Sequence, residues 1–142
     1  MKERREKLNQ IAEDFTLDTI YSFGSNSQKV VEWLAGGISD FSISSLSDVD
    51  IGVKPSLEVG LSVKEKVHLA LAPEDMFSVN RVDLVVVPEA DPFLTANIIR
   101  GERIYSKDEH EADEYDLYIL RRAGDLVPLE RERIDLIMRR EE

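Results

Sequence analysis

The chain has no cysteine, two histidines, two glutamines and one tryptophan in 142 residues. Without cysteine there is no disulfide, no thiolate zinc site and no thiol nucleophile. His68 and His110 lie in no His-Glu-x-x-His pattern and beside no serine nucleophile motif, so neither a zinc hydrolase nor a catalytic triad is written in the chain. No Gly-x-x-x-x-Gly-Lys-Ser/Thr loop and no Gly-x-Gly-x-x-Gly occurs either. Long apolar runs are also absent, so no membrane-spanning helix is expected. The charged start Met1–Lys7 leads into Leu8-Asn9-Gln10 rather than an apolar core, which is not a signal-peptide pattern. A cytoplasmic protein is the expectation.

Positive charge is in deficit. Eighteen Lys and Arg stand against 29 Asp and Glu, a net charge of −11. Phosphate backbones and anionic bilayers select for the opposite balance, which argues against a nucleic-acid or membrane-surface binder. The apolar fraction of 42% is ample for a core, and the length suits one domain.

Periodicity then places the elements. Leu8, Ile11, Ala12 and Phe15 give helical spacing over residues 2–15. Thr19–Phe23 reads as a strand ending at Gly24-Ser25, followed by a short helix over 26–35 closed by Gly36-Gly37. A Ser-rich loop with a possible β-stretch at Phe41–Ile43 precedes a second strand, Asp48–Val53. Residues 62–72 form a helix that should stop before Pro73. Val82–Val87 is apolar enough for a strand buried on both faces. Asp91-Pro92 is an N-cap and first helical residue, and Arg103–Tyr105 suits a last strand. Residues 109–123 and 129–141 read as two helices separated by Gly124 and Pro128, a helical extension on a single 1–142 domain. The fold class is therefore α/β of the α+β type, a small mixed sheet flanked by helices.

The chemistry lies in three places. Asp48 and Asp50 are two apart on a strand, so both carboxylates share a face with Cα atoms roughly 6.5–7 Å apart. Two such charges about 6 Å apart repel by roughly 3 kcal/mol at an effective dielectric of 20. A shared divalent cation removes that penalty. Taken alone, Asp-x-Asp is short and also fits an acidic edge strand. Asp83 interrupts the most apolar strand, where a carboxylate needs a partner or a site. Gly24-Ser25 ends a strand before a helix, where backbone N–H groups can cradle phosphate; a plain turn has the same signature. The acidic run Asp108–Glu114 lacks calcium-loop spacing and suits a helix start.

Together, Phe23-Gly24-Ser25, Asp48-Val49-Asp50 (preceded by Ser47) and Asp83 occur in an order that resembles the minimal nucleotidyltransferase (MNT) domains of the DNA polymerase β superfamily. The likeness runs over roughly residues 8–123 and closes with Gly101-Glu-Arg-Ile-Tyr105. Twenty-two residues separate Ser25 from Asp48, a longer gap than is usual there. Lys29 stands where many members carry an arginine after Gly-Ser. The resemblance implies a catalytic and metal-binding set of Asp48, Asp50 and Asp83, and a nucleotide-binding set of Gly24, Ser25 and Lys29. It implies two Mg²⁺ ions, ATP or another NTP as substrate, and transfer of a nucleotidyl group, adenylyl first among them, to a hydroxyl. It also implies an antitoxin role toward a HEPN-type RNase toxin. The alternatives are an inactive antitoxin or regulatory module of the same fold, and an antibiotic-type nucleotidyltransferase, for which the acceptor-binding helical domain is missing. The apolar C-terminal segment, with Ile134, Ile137 and Met138 on one helix face, suits docking to that toxin or to a second copy.

Overall fold

A computed structural model describes residues 2–36, 49–56, 61–77 and 82–140. Helix α1 (Lys2–Asp14) leads into strand β1 (Leu17–Phe23) and helix α2 (Ser27–Leu34). Strand β2 (Val49–Pro55), helix α3 (Val63–Phe77) and strand β3 (Val82–Val86) follow. A 3₁₀ turn at Val87–Glu89, helix α4 (Pro92–Ile99), strand β4 (Glu102–Ser106) and helix α5 (Glu109–Arg140) complete the order.

The four strands form one mixed sheet in the order β3-β2-β1-β4. β1 is antiparallel to both β2 and β4, and β2 is parallel to β3. Strand alternation divides the core in two. Ile20, Val49, Ile51 and Val53 point to the face covered by α1, α2 and α3, where they meet Leu8, Trp33 and Phe77. Tyr21, with half-buried Phe23 and Val85, points to the other face, under Ala96 and Ile98 of α4 and Ile119 and Ala123 of α5. Edge strand β4 is guarded by a register shift and by Arg5, whose guanidinium donates to the Ile104 carbonyl at 2.7 Å.

Local signals set the helix ends. Asp91 Oδ1 accepts from the amides of Phe93 and Leu94, with Pro92 in the first turn. Ser62 and Glu65 form a reciprocal capping box at the start of α3.

Three features depart from the sequence expectations. α3 does not stop before Pro73 but continues to Phe77. Leu69, Pro73 and Phe77, spaced by four, are buried together, and that packing offsets the hydrogen bond the proline removes. Among the described residues β3 is an edge strand, with only Val82 buried. Finally, α5 is one helix of 32 residues across Gly124 and Pro128. Both residues are exposed, so water can take up the carbonyl that Pro128 leaves unbonded. The stretch Phe41–Ile43 lies outside the described residues.

Ala112, Ile119 and Ala123 seat α5 on the domain, whereas residues 131–139 are exposed. Ile134, Ile137 and Met138 are therefore surface residues rather than core. A polar network fixes the seated half. Buried Tyr21 donates to Asp116 Oδ1 at 2.6 Å, and Arg103 bridges Asp116 Oδ2 at 3.1 Å and Asp113 at 2.7 Å. Burial holds the Asp116 carboxyl above its ordinary range, against the pull of Tyr21 and Arg103. Burial, then the bond to Asp116, raises the Tyr21 hydroxyl well above the usual tyrosine value.

Two outcomes follow. A chain ending at Pro128 should fold with a Tm within about 4 °C of the full length, read by thermal circular dichroism. A truncated chain that is unfolded would place the tip in the core. Tyr21→Phe should cost about 1–2 kcal/mol, because Asp116 loses a donor. Tyr21 ionises in the unfolded chain near pH 10 but later in the folded one, so stability falls as pH rises through that window. Urea melts from pH 8 to about pH 11 should therefore show a flatter alkaline slope in Tyr21→Phe than in the unaltered chain.

Candidate active site

The register of three strands builds the site. Phe23 at the end of β1 pairs with Asp50, and Asp50 pairs in parallel with Asp83. Val49 and Ile51 on either side of Asp50 are buried on the α1–α3 face, so Asp50 turns to the opposite one. In-register neighbours on adjacent strands share a face, about 4.8 Å apart, which sets Asp83 beside Asp50. Both are half-buried, at the same end of the sheet. Asp48, two residues earlier, lies outside the described residues.

Gly24 closes the site on the β1 side. Its φ of +77° is one that side chains resist. A Cβ there would collide with Oδ2 of Asp50. The backbone turn thus lies directly against the carboxylate. From it the chain enters α2, with Ser27 N bonded to Gly24 O at 3.3 Å and Val30 N to Asn26 O at 3.1 Å. Among the described residues the N-cap residue of α2, Asn26, makes no side-chain cap bond, and the positive end of a helix dipole favours an anion. Ser25 and Lys29, one turn apart, are both exposed. Gln28 ties α2 to the start of β4 through Glu102 at 2.6 Å.

Gly52, the next residue on Asp50's face, serves a different purpose. A Cβ there would come within 2.6 Å of Ile98 Cγ2, so its absence lets α4 lie close to the sheet. Hydrophobic alternation in the sequence carries no sign of this, nor of the Tyr21–Asp116–Arg103 network. The one available clue was a carboxylate at 116, on the helix face between Ala112 and Ile119.

Two hard carboxylate donors side by side suit Mg²⁺, and the glycine turn leaves room beside them for an oxygen-rich ligand. Among the described residues no third acidic or histidine group joins them. His68 and His110 are exposed and remote. A groove of about 610 Å³ runs elsewhere, between α1 and β4, past Arg5, Glu13, Arg103 and Lys107. It holds neither the carboxylate pair nor the glycine turn, and we read it as a surface cleft.

No protein-family model matches the chain, and no curated protein does. Solved structures do match in shape. One is a toxin–antitoxin complex with AMP-PNP, at TM-score 0.69 and 21% identity over 94% of this chain and 98% of that one. Another is the tri-AMPylated Shewanella oneidensis HEPN toxin in complex with MNT antitoxin, at 0.68 and 18% over 96% and 98%. The chain has a nucleotidyltransferase fold. A third, the toxin–antitoxin MntA–HepT, matches at 0.67 and 18% over 97% and 99%. The three matches cover from 94% to 97% of this chain.

Gly24→Ala should destabilise by about 1–3 kcal/mol, from backbone strain and displacement of Asp50. Asp50→Asn should leave the metal-free protein as stable or more so, since it removes charge from a crowded cluster. Thermal melts in chelator check both. A large loss of stability in Asp50→Asn would mean that the carboxylate is structural.

Proposed function

We propose that this chain is a metal-dependent nucleotidyltransferase of the MNT type, moving an adenylyl group from ATP to a hydroxyl on a HEPN-type toxin and so acting as its antitoxin. The observation that carries this reading is the register of Asp50 beside Asp83 with the Gly24 turn against the Asp50 carboxylate. The fold supports it, as do similar chains solved with AMP-PNP and with an AMPylated HEPN toxin.

Each group has a part. The Gly24–Ser25 turn, the start of α2 and Lys29 hold the triphosphate. Asp48, Asp50 and Asp83 would hold Mg²⁺. The metal, when bound, would neutralise charge on the phosphate oxygens and lower the pKa of a nearby hydroxyl. Asp83, in register beside Asp50, takes the hydroxyl proton on its carboxylate. The freed oxygen bonds to the α-phosphorus, the bond from that phosphorus to the β-phosphate bridge breaks, and pyrophosphate leaves. A net charge of −11 argues against a polynucleotide acceptor and is compatible with a protein one.

ATP with Mg²⁺ should raise the Tm by a few degrees at about 100 times its Kd. Gly24→Val and Asp50→Asn should abolish the shift. With α-labelled ATP and a co-expressed HEPN-type protein, label should appear on that protein, with Asp50→Asn and Asp83→Asn reducing transfer by about a thousandfold or more. Binding without transfer would favour the inactive antitoxin. Loss of both, or transfer undiminished in Asp50→Asn, would overturn the assignment.

A further inference from the structure

We infer that the outward face of α5 is a self-complementary seam that joins two copies of this chain antiparallel, about a two-fold axis between Leu126 and Val127. Ala112, Ile119 and Ala123 define the face that α5 buries against the domain. At about 100° per residue, the opposite face runs through Glu114, Leu117, Arg121 and Gly124, then Leu129, Glu132, Leu136 and Arg139, within an arc of roughly 140°. All eight are exposed; Leu117, Leu129 and Leu136 are 53%, 62% and 54% accessible.

These residues are symmetric about the helix midpoint. Antiparallel pairing sets Glu114 against Arg139, Leu117 against Leu136 and Arg121 against Glu132, and each pair occurs twice across the axis. Gly124 meets Leu129. A Cβ at Gly124 would touch nothing within 4 Å in the single chain, so a neighbouring helix can come close there and receive the leucine. Arg121, Glu132 and Arg139 have no partner among the described residues. Glu114 is met only by exposed His110 at 3.1 Å. A parallel pairing would set Arg121 against Arg121 and Glu132 against Glu132, so the charges select the antiparallel arrangement. The seam is about 39 Å long at 1.5 Å per residue, long enough for the ~1,200 Å² that a stable specific interface needs. A patch that complements itself residue by residue across a two-fold is what an isologous dimer requires.

Light scattering behind gel filtration should give a dimer at about 100 µM. Arg121→Glu and Glu132→Arg should each raise the dimer Kd about tenfold or more, and the double exchange should return it to within about threefold. Because the chain has no cysteine, oxidation of a Leu117→Cys/Leu136→Cys variant should yield a covalent dimer, and Leu117→Cys alone should not. All these positions are exposed, and circular dichroism verifies folding of each variant. A monomeric unaltered chain would overturn the inference, leaving this face to some other protein. A dimer unmoved by the single reversals, a double exchange that fails to rescue, or a covalent dimer from Leu117→Cys alone would overturn it equally.

Discussion

The register of β2 between β1 and β3 is the constraint on which the site depends. Strand side chains alternate, so a slip by one residue would turn Asp50 into the α1–α3 core and bring Val49 or Ile51 to the surface. That would cost several kcal/mol in buried apolar area and strand a carboxylate among Val30, Trp33 and Phe77. The burial of Val49, Ile51 and Val53 therefore does more than build a core. It holds two carboxylates on one face, at the end of the sheet where β1 stops at Gly24. Glycine is required there twice over, for its positive φ and for the space taken by Asp50.

The second constraint is the two-sidedness of α5. Its inner face is fixed by small and apolar residues and by the Tyr21–Asp116–Arg103 network, which ties it to β1, the strand that ends at the glycine turn. The seated half of the helix belongs to the domain. The tip reaches past it, and Glu130 lies close enough to Asp91, at the start of α4, to feel its charge. Asp91 follows the C-terminal end of β3, whereas Asp83 lies near its N-terminal end. The tip thus leaves the sheet at the end away from Asp50 and Asp83.

Most of this was legible in the sequence where one local rule governed. Alternation placed the strands and Asp91-Pro92 announced α4 through its cap, whereas the pairing of Asp50 with Asp83 comes from the strand register. The order of Gly-Ser, Asp-x-Asp and a later Asp supplied the fold. Backbone chemistry alone makes Pro73 and Pro128 helix stops, yet both lie inside helices. Pro73 is held in its helix by burial with Leu69 and Phe77, a tertiary effect invisible to local reading, and at Pro128 solvent accommodates the lost bond. β3 reads as buried on both faces because it is apolar, yet among the described residues it is an edge strand with only Val82 buried. The closeness of Gly24 to the Asp50 carboxylate and of Gly52 to Ile98 depends on three-dimensional approach that no spacing encodes.

The central claim is that divalent cations bind at the paired ends of β2 and β3, beside the glycine turn. Titration with Mn²⁺ followed by NMR of the backbone amides tests this most directly, because the paramagnetic ion broadens the nearest signals first. The account predicts early loss of the Gly24, Ser25, Asp50 and Asp83 signals, abolished in Asp50→Asn/Asp83→Asn. Early loss confined to the acidic start of α5, around Asp108–Glu114, with Gly24 and Asp50 untouched, would contradict it.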